Sequence, residues 1–343
     1  MKIFLKVVAA LVGMPLIAIA LFGIWASAGT YEKQNYAAIF DFDASPDPKT
    51  ATPKESYTIA TYNIGYLSGL ENNKTTQLDQ AFFENNQQQA IDALISVKPD
   101  IIGFQEIDIE AKRSYGVNQV EAVANGLGMG VGAIAINWDK RYLPFPYWPP
   151  SGHFGKIISG QAITSRYPII KNNRIVLERV PKSFIYNAFY LDRLAQVSEI
   201  QLGEKALIVI NVHLEAFAEE TRINQTKFVR QIAEDYAKTQ PVIVMGDLNS
   251  ALNRNTIVTA QGEILAERQF SIKEMLASEQ LASAVPQESW NEENATFPTD
   301  QPEYKLDYLF YTPSSIEILD TQVLSAAAQA SDHLPLVAQF RFK

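Results

Sequence analysis

Four short apolar runs constrain this chain more than any other feature: Tyr57 to Ile64, Ile101 to Gln105, Ala206 to Val212 and Val242 to Gly246. Each is bounded by turn residues and runs out into polar side chains, and each reads as a buried strand. Helical periodicity lies between them, most clearly from Glu84 to Val97 and from Glu219 to Lys238, where Phe228, Ile232 and Tyr236 share a face. The alternation makes an α/β protein. Leu306 to Tyr311, Ile316 to Leu324 and Leu336 to Phe342 add further strands, so strands outnumber helices. A two-sheet sandwich covered by helices is therefore expected in preference to a simple doubly wound sheet.

A chain of 343 residues, 47% hydrophobic and 20% charged, is neither low-complexity nor disordered and suits one large domain. With Lys+Arg 29 against Asp+Glu 38 the formal charge is -9, which offers no global attraction to a nucleic-acid backbone or an anionic bilayer. A phosphate handled by this chain would need a cation. The chain has no cysteine, which excludes disulfides, thiol nucleophiles and Cys-ligated metal, so a metal would be held by oxygen and imidazole.

The amino terminus carries Lys2 and Lys6, then an uncharged run from Val7 to Tyr31. Its length fits a membrane-spanning anchor, whereas Ala26-Ser27-Ala28 also resembles the cleavage site of a secretory signal. A buried core helix is the third reading. On either leading reading the positive-inside rule leaves the body outside the cytoplasm, periplasmic or at the cell surface. The expected division is an anchor or signal over 1–31, a proline-bearing linker over 32–55 that could dock in part through Tyr36, Phe40 and Phe42, and one catalytic domain over 56–343.

The strand ends carry six polar blocks in order: Thr61-Tyr62-Asn63-Ile64, Gly103-Phe104-Gln105-Glu106, Asn211-Val212-His213-Leu214-Glu215, Gly246-Asp247-Leu248-Asn249, Leu306-Asp307-Tyr308 and Ser331-Asp332-His333-Leu334-Pro335. Each alone is a weak match. Together they resemble the endonuclease/exonuclease/phosphatase superfamily of metal-dependent phosphoesterases, from Tyr57 to Phe340. The resemblance implies a four-layer α/β/β/α sandwich of the DNase I-like kind, with the site between two sheets. It also implies Mg²⁺ or Mn²⁺ as cofactor and hydrolysis of a phosphodiester or phosphomonoester by an activated water.

Taken singly, Glu106 after a strand can hold a hard cation or be a solvated loop acid. Asn63 can hydrogen-bond a ligand carboxylate and a metal-bound water, or cap a turn. An extended chain would point Asp247 and Asn249 to one face, while an Asx turn is the competing reading. By resemblance Asn63, Glu106 and Asp332 form the metal side, Asp247 handles the attacking water, Asn249 and His213 contact the phosphoryl group, and Asp307 orients His333. Glu215 has no assigned role. Arg166, in a Ser-Arg-Tyr-Pro turn, is a phosphate-binding candidate or an exposed salt-bridge partner.

Substrate choice falls to Asn137 to Gly155, an aromatic segment with four prolines that reads as a stiff loop. Trp138, Tyr147 and Trp148 could pack over a core edge, sit at a lipid interface or stack on bases. A lipid headgroup or small phosphodiester is favoured as substrate, with a secreted or tethered nuclease as the alternative. A catalytically silent envelope module that binds a partner is the rival from another class.

Overall fold

The computed structural model describes residues 2–42, 48, 51–251 and 271–343. Of the expected linker, 43–47 and 49–50 lie outside the described residues. The first half of the chain forms α1 (Lys2–Ser27), β1 (Ile39–Asp41), β2 (Tyr57–Asn63), α2 (Gln80–Val97), β3 (Ile101–Ala111), α3 (Gln119–Leu127), β4 (Val131–Leu143), β5 (Gly155–Ser165) and β6 (Ile169–Val176). The second forms α4 (Phe184–Phe189), β7 (Leu194–Leu202), β8 (Lys205–His213), α5 (Glu219–Ala237), β9 (Val242–Asp247), α6 (Ile272–Leu276), β10 (Ala282–Ser283), β11 (Asp307–Tyr311), β12 (Ile316–Val323) and β13 (Leu336–Phe342).

Among the described residues these strands make two sheets, ordered β1-β4-β5-β3-β2-β13-β12 and β10-β11-β9-β8-β7-β6. Each sheet holds one parallel pair, β2 with β3 and β8 with β9, while the other pairings are antiparallel. A parallel pair needs a crossover, and α2 and α5 supply the two crossovers. The carboxyl ends of both βαβ units hold Asn63, Glu106, His213 and Asp247.

Three apolar layers account for the stacking. Ile59, Ile101, Ile163, Val209, Met245 and Phe340 fill the space between the sheets. Leu94, Val120 and Val123 of α2 and α3 close the outer face of the first sheet against Tyr62, Phe104 and Ile134. Val229, Ala233 and Met275 of α5 and α6 close the second against Val212, Val244 and Phe310. The arrangement is α/β/β/α, and strands covered on both faces read as continuous apolar runs.

The expected bounds shift for local reasons. α2 starts at Gln80 because Asp79 caps it, its carboxylate accepting from the Phe82 N–H at 2.8 Å. The aromatic segment is strand as far as Leu143, not loop from Asn137, since β4 pairs along β5 to Leu143. Residues 36–42 are the part of the expected linker that docks: β1 pairs antiparallel with β4, and Tyr36, Phe40 and Phe42 pack on the core.

Among the described residues no helix is long and apolar enough to cross a membrane. α1 does form, over Lys2–Ser27.

Gly246 sits at φ +140°, and a β-carbon there would overlap the Val212 carbonyl of the neighbouring strand. Gly246→Ala should therefore cost roughly 2 kcal/mol or more, read as a lowered denaturation midpoint with an unchanged slope.

Candidate active site

The site begins where β3 breaks its pairing. Register with β5 shifts between Phe104 and Ile107, and Glu106 adopts φ +50° inside this bulge. A bulge re-aims one side chain, and left-handed backbone at a non-glycine residue is strained. The result turns Glu106 toward Asp332, which follows Ser331 just before β13. Asn72 joins the two acids: its Nδ2 donates to Glu106 Oε2 at 2.8 Å and reaches both oxygens of Asp332 at 3.3 and 3.4 Å. The other end of that amide, Asn72 Oδ1, is buried without a hydrogen-bond partner.

Asp247 is the hub on the facing sheet. Its Oδ2 accepts from Asn63 Nδ2 at 3.0 Å and its Oδ1 from the Asn249 N–H at 2.8 Å. Asn249 has φ +48°, so the chain turns here, and the Asx turn replaces the extended reading. Asn249 remains at the site, with Nδ2 donating to the carbonyl of Leu214 at 3.0 Å. Asn63 belongs with Asp247 more than with the acid pair, because its Oδ1 accepts from the Gly65 N–H at 3.1 Å.

Two imidazoles face the same carboxylate. His213 Nε2 lies 3.6 Å from Asp247 Oδ2 and 3.7 Å from Glu106 Oε1, and His333 Nε2 lies 3.7 Å from Asp247 Oδ2. His333 Nδ1 and Asp307 Oδ2 are paired at 2.8 Å, and Thr296 Oγ1 donates to that same oxygen at 2.6 Å. Asp307 is fully buried and its Oδ1 has no partner.

Burial dominates the electrostatics. It raises the Glu106 carboxyl to about 7, with Asp332 adding to the rise. It likewise raises Asp247 to about 6, against the lowering effect of His333. Burial and then Arg193 push His213 well below the usual imidazole range, so it stays neutral. Burial also opposes charge on His333, but Asp307 and Asp247 outweigh it and hold the imidazole at about 10.

The remaining candidates divide. Among the described residues Arg166 shows no salt bridge. It donates to the carbonyls of Pro99, Leu127 and Gly128 at 3.0, 2.8 and 3.0 Å, holding the end of α3. Trp138 is buried, its indole N–H donating to the Phe189 carbonyl at 2.8 Å, so it is a packing residue and not a stacking platform. Tyr147 and Trp148 are exposed. His153 bridges the Tyr142 hydroxyl and the Tyr147 carbonyl within the aromatic loop.

Sequence reasoning did not single out Asn72, Thr296, Tyr190 or Arg193. Arg193 is buried beside Tyr190 and Glu215, with Nε 3.4 Å from Glu215 Oε2, which gives Glu215 a supporting part. None of them stands in a patterned block, and only Arg193, a cation next to the apolar start of β7, offered a signal.

Among the described residues no group of three or more Asp, Glu or His side chains is spaced to hold a metal ion by itself. The oxygens of Glu106 and Asp332, all drawn to Asn72 Nδ2, fit a hard cation that keeps several waters, as Mg²⁺ does. Close, largely buried like charges are otherwise costly. The arrangement can thus bind an ion on one side and move a proton at Asp247 and His333 on the other.

A sandwich with this polar cluster at the facing carboxyl ends of its two parallel strand pairs defines a phosphoesterase class. The chain belongs to the Endonuclease/Exonuclease/phosphatase family, whose sequence pattern it matches over residues 60–333 and whose members are phosphoesterases. Solved structures share the fold. An endonuclease/exonuclease/phosphatase from Beutenbergia cavernae has a TM-score of 0.60 at 18% identity, covering 84% of this chain and 72% of its own. The human Nocturnin catalytic domain with bound sulfate anion has 0.54 at 18%, covering 90% and 98%. A mannosyl-6-phosphatase from Bacteroides thetaiotaomicron has 0.52 at 16%, covering 83% and 100%. Comparison with curated protein sequences gave no match.

Proposed function

We propose that this chain is a divalent-metal-dependent hydrolase of phosphoric esters, with Mg²⁺ or Mn²⁺ held by Glu106 and Asp332. The carrying observation is their convergence on one half-buried amide, Asn72, opposite Asp247 and two imidazoles. When bound, the ion polarises the phosphoryl oxygen and stabilises charge on the departing oxygen. The chain's own residues then divide the remaining work. Asp247, fixed by Asn63 and the Asn249 N–H, orients the attacking water and accepts its proton at Oδ2. His213 and His333 present Nε2 toward the same point, where phosphoryl oxygens would be bound. Asp307 fixes the His333 ring through Nδ1.

A groove of about 380 Å³ runs from Asn72 past Lys112 and Arg113 to His153 and Phe154. It would receive the rest of the substrate. An acidic chain with an apolar amino-terminal helix behind two lysines favours a lipid headgroup or small phosphodiester, with the body held outside the cytoplasm. Nucleic acid is the second substrate class, because a metal and local cations can neutralise individual phosphates.

Glu106→Gln tests the metal side. It removes one ligand charge and nearly preserves shape, so the half-saturating Mg²⁺ concentration should rise at least about tenfold while the thermal melt without metal holds or rises. The measurement is activity against Mg²⁺ on a chromogenic diester, sphingomyelin, phosphoinositides, plasmid DNA and RNA. An unchanged Mg²⁺ dependence and unchanged maximal rate would remove Glu106 from the site.

A further inference from the structure

We infer that three apolar segments at one corner of the molecule, α1, the tip of the β4–β5 loop and the first turn of α4, form a single surface that docks on a lipid bilayer. Tyr147 and Trp148 at the loop tip are 72% and 77% exposed, and Phe184 and Ile185 of α4 are 85% and 72% exposed. Leu16, Ile17 and Ile24 of α1 are likewise left to solvent. Scattered apolar residues need no account, but large side chains standing out together from adjoining segments mark an interaction site.

One small core ties these segments together. Trp138, Leu143, Phe154 and Ile157 form it, with Phe145 from the loop and Phe189 from α4 packed against it. The Trp138 indole bonds the Phe189 carbonyl, so the loop and α4 share one base. α1 joins through β4: the Phe22 ring meets Tyr142 edge-on at 5.8 Å, and the Arg141 N–H donates to the Ala28 carbonyl at 2.8 Å. Tyr142 in turn bonds His153, and His153 the Tyr147 carbonyl, at 2.8 and 3.0 Å. Asp139 locks the exit of α1 by accepting from the Thr30 and Tyr31 N–H groups at 2.7 and 2.9 Å. The apolar helix is therefore clamped beside the loop instead of hanging on a flexible tether.

Lipid fits this surface better than a protein partner. Trp25, Tyr142, Tyr147 and Trp148 are amphipathic rings; Lys140 donates to the Ser27 carbonyl at the end of α1, Arg141 lies 5.7 Å over the Trp25 ring, and Lys182 precedes Phe184 by two residues. Aromatic rings at headgroup depth with cations toward lipid phosphates are the composition of a membrane interface. These cations stand out in a chain of net charge -9. The groove that starts at Asn72 has Ser151, His153 and Phe154 in its wall, so docking would open the site beside the headgroups. That consequence rests on the hydrolase reading; the docking itself does not.

The absence of cysteine allows a clean test by spin labelling of the full chain in phosphatidylcholine and phosphatidylglycerol vesicles. Single variants Leu16→Cys, Trp148→Cys, Ile185→Cys and, on the far side in α5, Gln231→Cys are labelled and compared for access to oxygen and to a water-soluble nickel chelate. Labels at the first three positions should favour oxygen, and the label at position 231 should favour the chelate. Chelate preference at both 148 and 185 with oxygen preference at 16 would leave α1 as a lone anchor and overturn the shared surface. Chelate preference at all positions would overturn bilayer docking altogether. Spin–spin broadening at 148 that grows with the protein-to-lipid ratio would mean that a second copy covers the face, which also overturns it. No readout depends on metal or turnover, so failure of the hydrolase reading would show separately.

Discussion

His333→Ala should lower turnover on the best substrate about 100- to 10,000-fold, and Asp307→Asn should lose much of the same activity. The two side chains are joined by a 2.8 Å hydrogen bond in a buried pocket, where Asp307 can fix the ring and balance charge on it. An asparagine at 307 can still offer one oxygen to His333 Nδ1 and to Thr296 Oγ1, with its NH₂ in the place where Oδ1 now has no partner. Geometry is then largely kept and the charge is lost. The double variant should be little worse than the worse single one, because residues acting as a unit are non-additive. Circular dichroism and thermal melts establish that the variants fold. If the two losses multiply, Asp307 acts apart from His333, and the proposed pairing of roles is wrong.

What the sequence made legible follows from burial. β2, β3, β8 and β9 are covered on both faces, so they stand out as apolar runs, and the polar blocks at their ends mark the site. β4, β5 and β7 were harder to see because buried polar residues interrupt them. Gln161 and Gln196 donate to the carbonyls of Asn211 and Ala133 at 2.9 Å, and Gln105 donates to Asn211 Oδ1 at 2.6 Å. The partners in this polar seam between the sheets meet only in three dimensions. Asn72 was illegible for the same reason, since nothing in Glu71-Asn72-Asn73 shows that a bulge 34 residues later will turn Glu106 onto its amide. The aromatic segment misled in one half. Trp138 and Trp148 look alike in composition, yet one sits inside paired strand and the other beyond its end.

Asp247→Asn separates function from stability more sharply than any other change at this site. Two opposed contributions set its effect on folding. Burial raises the Asp247 carboxyl to about 6, so its charged form is disfavoured in the folded protein, and neutralising it returns roughly 1–3 kcal/mol at neutral pH. Against that, both carboxylate oxygens now accept hydrogen bonds, from Asn63 Nδ2 and the Asn249 N–H, and an amide can serve only one of the two, which costs about 1–3 kcal/mol. The two nearly cancel, and the metal-free melt at pH 7 should shift little. The pH trend has a definite sign. A raised carboxyl stabilises the folded state below its unfolded pKa and loses that contribution as pH rises through about 6, so the variant gains on the parent chain as pH increases from 4 to 7. Turnover has no such compensation, because an amide cannot accept the proton of the attacking water, and the rate should fall about 100- to 10,000-fold. Melts across that pH range beside rates at saturating Mg²⁺ decide the matter. A rate within tenfold of the parent chain would move the proton-accepting role away from Asp247, to the imidazoles that face it 3.6 and 3.7 Å away.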